Sequence, residues 1–312
     1  MYRLALRRLI YAIPTLLLVS FVVFLLFEAV GDPAASLAGP NPTPELLAQI
    51  REQLHLDQPL PVRYAQWLFA ALHGDFGKSF SNGAAVGPLI FSRLGVTVSL
   101  IVVAMILTIT IGGILGVVAS LKPGRFWDRA VATVSASAIA VPPFWLGMLL
   151  VLAFALYLPL LPALGYVDLA QSPLEWLRHI ILPSIALAAY GIGTTALQLK
   201  VSLSDTLRQD FIMASRAKGL PPHSLVLKHG LKNAAVPVVT MLGLRLAQLV
   251  GGTVVVEQVF NLPGLGQLAL TSTIDRDVPV MLGIVVLSTL MITLINVCVD
   301  ISYAYFNPKV RT

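Results

Sequence analysis

Residues 208–237 read RQDFIMASRAKGLPPHSLVLKHGLKNAAVP. This is a polar, basic island between two apolar blocks, Ile180–Leu199 and Val236–Val256. Its meaning depends on whether those blocks cross a membrane and on which side the island then falls.

Composition answers the first question. Of the 312 residues, 57% are apolar and 12% charged, about half the charged fraction of a soluble domain. The mean hydropathy is +0.84. The apolar residues fall in runs near twenty residues long, enough for a helix to cross a ~30 Å hydrocarbon layer. They do not follow the ten-residue alternation of an outer-membrane barrel. A single cysteine, Cys298, excludes an internal disulfide. A pI near 9.6 suggests nucleic acid only until the cations are mapped.

Six apolar runs predict an all-α integral membrane protein: Leu9–Val30, Gly95–Leu121, Ala130–Leu158, Ile180–Leu199, Val236–Val256 and Pro279–Ile301. The first follows Arg3, Arg7 and Arg8 and exceeds the ~7–15 apolar residues of a signal peptide, so it reads as a retained span. Pro142-Pro143 predicts a kink in the third, serving either gating or packing. Gly112 and Gly116, four apart, permit close helix contact, within one subunit rather than at a dimer seam.

The segment 31–94 is the longest polar stretch. Gly31-Asp32-Pro33 and the prolines at 40, 42 and 44 read as a turn and an extended run. Thr43 caps a helix with Pro44 at its first position, and Leu46, Leu47, Ile50 and Leu54 share one face. A second helix, Val62–His73, ends at Gly74. Both are expected at the outer surface, a lateral lid being the sharper reading. Gly77-Lys78-Ser79 imitates the end of a phosphate-binding loop, but the required earlier glycine is Leu72. Further on, Leu174–Arg178 predicts a short interfacial helix with Trp176 at headgroup level.

Cations set the orientation, because short cytoplasmic loops are rich in lysine and arginine. The N-terminus, loop 122–129, island 200–235 and the C-terminus hold fourteen of the twenty-one; the opposite side holds six, and Arg245 lies within a span. Ten of the fifteen acids fall on the opposite side. Both termini and the island are therefore expected in the cytoplasm.

Within the island, Leu203–Arg216 is expected to continue the fourth span as helix. Gly219 ends it in a left-handed conformation and Pro221-Pro222 turns the chain. A second helical segment is expected over Ser224–Asn233. Ala214, Ser215 and Ala217 let a partner backbone approach, and the surrounding cations steer an acidic groove. The plainer alternative is a basic loop that holds topology against anionic lipid.

Ala214, Ser215, Gly219 and Leu231 match the alanine pair, glycine and leucine of the coupling motif of binding-protein-dependent ABC importer permeases. Met213, His229 and Lys232 depart from its glutamate, isoleucine and proline. The dipeptide/oligopeptide/nickel branch fits better, through Ala217-Lys218-Gly219-Leu220 and His229-x-Leu231-Lys232-Asn233-Ala234 with Pro237-Val238. The likeness extends over nearly the whole chain. Gly31-Asp32-Pro33, Leu56-Asp57-Gln58-Pro59, Arg63-Tyr64 and Gly74-Asp75-Phe76-Gly77-Lys78-Ser79 resemble the extracytoplasmic segment of that branch's B-type permease. Glu257-x-Val259-Phe260-Asn261-x-Pro263-Gly264-x-Gly266 and Arg276-Asp277-x-Pro279 resemble its loop between the fifth and sixth spans.

The resemblance implies a type I ABC importer permease fold in a bacterial inner membrane. The N-terminus and first span would occupy 1–30, the extracytoplasmic segment 31–94 and the five-span core 95–312. It implies a second related permease, two cytoplasmic ATPase subunits that bind ATP and Mg, and an extracytoplasmic substrate-binding protein. It implies no catalytic residue, cofactor or metal in this chain. Phe211, Met213, Ala214, Ser215, Arg216, Ala217, Lys218, Gly219 and Leu220 would meet the ATPases. The expected substrate is a peptide, with nickel or glutathione as alternatives.

Arg245 is expected to face a pathway or partner, since charge at bilayer depth is costly. A substrate carboxylate, a gate acid and partner carbonyls are its open counterparts. Gln198, Gln248 and Asn296 are weaker pathway candidates, with interhelical hydrogen bonding as their ordinary role. Glu257, with Asn261, Pro263, Gly264 and Gly266, either meets the binding protein or caps its own loop, the latter being favoured. An ion-coupled secondary transporter is the rival class, but it would carry more spans and mid-span carboxylates. Zinc-hydrolase and nucleophile-turn motifs are absent. The histidines 55, 73, 179, 223 and 229 have no metal-ligand spacing.

Overall fold

The computed structural model describes residues 2–30, 34, 38, 42–53 and 56–306, except the side chains of 2–9, 11, 12, 27–30, 53 and 300–306. The readings on Gly31-Asp32-Pro33, Pro40, Leu54, His55 and the tail from Asn307 lie outside the described residues, as do the side chains of Arg3, Arg7 and Arg8.

The helices are α1 Tyr2–Val30, α2 Pro44–Gln53, α3 Leu60–Leu72, α4 Val86–Leu121, α5 Phe126–Ala140, α6 Pro143–Val151, α7 Pro173–Leu207, α8 Asp210–Ala217, α9 Leu231–Val259, α10 Leu265–Ile274 and α11 Val278–Phe306. Among the described residues, four segments are long and apolar enough to cross a membrane: Val86–Leu121, Pro173–Leu207, Pro222–Val259 and Val278–Val299. In α1, Ile13–Leu26 is a shorter apolar stretch.

Local chemistry sets many of these ends. Leu46 N donates to Thr43 Oγ1 (3.3 Å), so Thr43 caps α2. Gly74 follows α3 with φ +85°, a left-handed terminus. Ser172 caps α7 by accepting from Glu175 N, with Pro173 in the first turn. The expected interfacial helix Leu174–Arg178 is thus the first turn of α7 itself. Trp176 packs against the core rather than standing apart.

The third apolar run breaks instead of kinking. The residue before a proline is pushed out of helical geometry. Val141 precedes Pro142, which precedes Pro143, so two successive residues are extended (ψ 124° and 138°). The two arms, Phe126–Ala140 and Pro143–Tyr157, meet at 100°. The second arm ends as a π-helical turn, Leu152–Tyr157.

The core joins α4, α7 and α9 through Leu100, Ala104, Ile180, Leu187, Leu249 and Val256, closed by Phe260 and Leu262. Lipid chains are as apolar as leucine, so helix association in a bilayer relies on close packing. Glycines supply it here. A Cβ on Gly112 would lie 2.9 Å from Thr195 Cβ, and one on Gly116 2.8 Å from Leu199 Cβ. The Gly112/Gly116 seam is internal to the subunit, as expected. Gly243 likewise admits Val299 of α11 to α9.

Candidate coupling surface and translocation face

The fourth span does not continue through the island. Arg208 N and Gln209 N close the last turn of α7 on Asp205 O and Thr206 O, and Gln209 is extended (ψ 153°) before α8 starts. The eight-residue α8 is therefore a separate helix. Ile212 anchors it, fully buried. Phe211, Met213, Ala214, Arg216, Ala217, Lys218 and Gly219 are exposed, and Ser215 and Leu220 half-buried. Leu220 N donates to Ser215 O (3.3 Å) and Gly219 N to Arg216 O (3.0 Å), with Gly219 at φ +84°. This is the predicted glycine terminus, closed as a Schellman motif. Ile212, between Phe211 and Met213, is the buried member of this helix that the sequence reading passed over.

The expected helical segment Ser224–Asn233 is present, but as the entry to the next long helix rather than as a separate one. A turn at Pro222–Ser224 becomes a π-helical stretch, Leu225–Gly230, that flows into α9. The His229–Ala234 motif locks this entry to α7. Asn233 Nδ2 donates to His229 O (2.8 Å), and Ser202 Oγ of α7 donates to Ala234 O (3.0 Å). Gly230 lies against Leu203 and Leu207, where a Cβ would sit 2.9 and 3.1 Å from their methyl groups.

Beside this entry, Lys200 of α7 forms an ion pair with Asp128 at the start of α5, and Asp128 also accepts from Gly124 N (2.7 Å). Nothing in the sequence linked these two charges.

Arg245 is held within its own subunit. Its Nη2 donates to Leu187 O of α7 (3.2 Å), and its guanidinium lies 4.7 Å from the Tyr190 ring centroid. Tyr190, Thr194 and Gln198 follow one another at four-residue spacing along one face of α7. Gln248 stands exposed one turn beyond Arg245 on α9. Together they make a polar strip along α7 and α9. Asn296 stands apart, because α9 turns Gly243 toward Val299 of α11 while Arg245, two residues on, points about 200° away.

Glu257 is fully buried. Its Oε1 accepts from Thr97 Oγ1 (2.8 Å) and its Oε2 from Gln267 N (2.9 Å). Thr97 Oγ1 in turn accepts from Leu265 N (2.8 Å). The carboxylate thus caps the start of α10 and fastens the loop to α4. Gly264 and Gly266 exist for this group: a Cβ at either would come within 3 Å of its oxygens. Asn261, at φ +48°, accepts from Gln267 Nε2 (2.9 Å) and remains exposed, while Pro263 is half-buried. Of the loop candidates, Glu257, Gly264 and Gly266 are buried and Asn261 is exposed.

Gly77-Lys78-Ser79 belongs to a turn closed by a bridge between Lys78 and Ala85. Asp277 binds it, accepting from Ser79 Oγ, Phe80 N (3.1 Å) and Ser81 N (3.4 Å). The serine that imitates a phosphate-loop residue is thus occupied by a carboxylate.

Comparison with known proteins identifies the architecture. The family described as "Binding-protein-dependent transport system inner membrane component" matches residues 109–312, and its N-terminal counterpart matches residues 1–101. A "Probable peptide ABC transporter permease protein" of Sinorhizobium fredii is 40% identical over 307 residues, 98% of each chain. The glutathione transport system permease protein GsiC of Salmonella choleraesuis is 42% identical over 307 residues, again 98% of each. A chain in an inward-facing structure of the MetNI methionine ABC transporter shares the fold, with a TM-score of 0.57 and 21% identity over 70% of this chain and 96% of that one. The chain belongs to the binding-protein-dependent transport system inner membrane components, the non-catalytic, multi-pass permease subunits of bacterial ABC importers.

Proposed function

We propose that this chain is one of two permease subunits of an ATP-driven peptide importer. It spans the membrane six times with both termini in the cytoplasm, α1 and the broken α5–α6 pair completing the four long helices. The observation that carries this reading is α8: a short separate helix on the cation-rich side, seated by the buried Ile212, with Phe211, Met213 and Arg216 exposed. Such a helix is a handle for a partner. Two cytoplasmic ATPase subunits, which supply ATP and Mg chemistry, grip it from below. An extracytoplasmic binding protein delivers substrate from above. Nucleotide state and receptor loading then bias the same pair of conformations from opposite sides.

The polar strip Tyr190, Gln198, Arg245 and Gln248 faces the pathway at the boundary with the second permease. Arg245 serves first as a strut, since its guanidinium already engages Leu187 and Tyr190. A peptide is favoured as substrate because the relatives named above carry peptide and glutathione in their names, and glutathione is itself a tripeptide.

The test is purification from the native membrane with mass spectrometry of whatever accompanies the chain. A second permease, ATPase subunits and a binding protein with bound peptide are expected. A chain that emerges alone, binds no added ATPase and supports ion-driven uptake would return the secondary-transporter reading.

A further inference from the structure

The helix α3, Leu60–Leu72, is apolar on both faces, unlike a helix in water. Its inward face carries Leu60, Arg63, Tyr64, Trp67, Leu68 and Ala71, all half-buried. Its outward face carries Pro61, Val62, Ala65, Gln66, Phe69 and Leu72, with Phe69 68% and Leu72 77% exposed. A helix on an aqueous surface turns its apolar stripe to the protein and its cations to solvent. Its neighbour α2 obeys that rule: Glu45, Arg51 and Glu52 are exposed and Leu47 and Ile50 half-buried.

The attachment of α3 gives its depth. The Tyr64 hydroxyl donates to Leu17 O (3.1 Å) and shares a hydrogen bond with Ser20 Oγ (2.8 Å). Phe21 and Phe24 meet the Tyr64 ring edge-on at 5.1 and 5.6 Å, and the Arg63 guanidinium lies 5.7 Å from the Phe24 centroid. Ser20 lies near the middle of the Leu9–Val30 run. A tyrosine side chain cannot reach a mid-span carbonyl across the ~15 Å of half a hydrocarbon layer. Tyr64 reaches it, so α3 itself lies at membrane depth. With thirteen residues, about 20 Å of helix, α3 is too short to cross.

We propose that α3 is a re-entrant helix immersed in the extracytoplasmic half of the bilayer, with Val62, Phe69 and Leu72 covered by lipid acyl chains. α1, to which it is attached, exposes apolar residues of its own at Leu17, Leu18, Val22 and Leu26. Lipid is therefore the occupant that suits both. The inference rests on the membrane reading of α1 and is independent of the importer reading.

Spin labelling in proteoliposomes tests it. Val62→Cys and Phe69→Cys on α3 and Glu45→Cys on α2 are labelled in a Cys298→Ser background, in the chain alone and in its co-purified complex. Ala65→Cys, which removes no large side chain, supplies another outward position should Phe69→Cys fail to insert. The ratio of oxygen to water-soluble nickel-chelate accessibility is expected to be several-fold higher on α3 than at residue 45, in both preparations. Nickel-chelate access on α3 equal to that at residue 45 would place the helix in water and overturn the proposal. Exclusion of both reagents in the complex would also overturn it, by showing a protein partner on that face.

Discussion

Ser79 and Asp277, 198 residues apart, meet as two buried side chains joined by a hydrogen bond. The contact pins the loop before α4 to the turn that starts α11, where Arg276 adopts a left-handed φ of +54°. Hydrogen bonds to charged groups contribute about 1.5–3 kcal/mol. A double-mutant cycle with Ser79→Ala and Asp277→Asn, read by thermal unfolding of the purified chain, is expected to give a coupling energy in that range. Additive effects would show that the clasp contributes nothing.

Lys200 and Asp128 bind the start of α5 to α7 beside the coupling segment. Removing one partner of a buried pair costs about 3–5 kcal/mol. The Lys200 side chain keeps 24% exposure, so about 2 kcal/mol is expected for Asp128→Asn alone. Lys200→Met combined with Asp128→Leu should recover most of that loss. A double variant less stable than both single variants would contradict the pairing.

Gly266, beside Glu257, and Gly251, on the open side of α9, make a contrasting pair. A Cβ at Gly266 would approach Val254 Cα to 2.5 Å, which is backbone and cannot give way, whereas Gly251 of α9 has open space. Gly266→Ala is expected to lower the yield of folded protein in detergent. Gly251→Ala is expected to be neutral or to stabilise by up to about 1 kcal/mol. Equal tolerance at both positions would refute the close approach.

Loss of Glu257 should be felt through the groups it leaves behind. Glu257→Ala strands Gln267 N and frees Thr97, and each buried orphan costs about 1–3 kcal/mol. A fall of several degrees in Tm is expected, without loss of binding-protein docking in the surviving fraction. Lost docking with unchanged Tm would move Glu257 from the scaffold to the interface.

Gly219 has room for a side chain but sits at φ +84°. Left-handed geometry costs an L-residue about 1–2 kcal/mol, more for β-branched types. Gly219→Val should therefore re-aim the end of α8 while leaving the spans inserted. ATP hydrolysis is expected to persist while uptake falls at least several-fold. Unimpaired uptake would count against α8 as the coupling element.

The sequence by itself determined what depends on short-range chemistry. Run lengths and composition placed a multi-span helical chain in a membrane. Thr43, Gly74 and Gly219 marked helix ends because caps and left-handed turns are decided by one or two residues. The break at Val141–Pro142 was also written locally, in two consecutive pre-proline positions, and was underestimated as a kink.

Tertiary structure alone decided the partners. Ser79 with Asp277, Thr97 with Glu257, Lys200 with Asp128 and Arg245 with Leu187 all join distant segments. No local periodicity encodes such a pairing. Whether a polar side chain is buried, and so must be bonded, follows from which helices pack around it. The same holds for α3: the helix and its glycine end were legible, but only its attachment to the middle of α1 shows the depth at which Phe69 and Leu72 stand exposed.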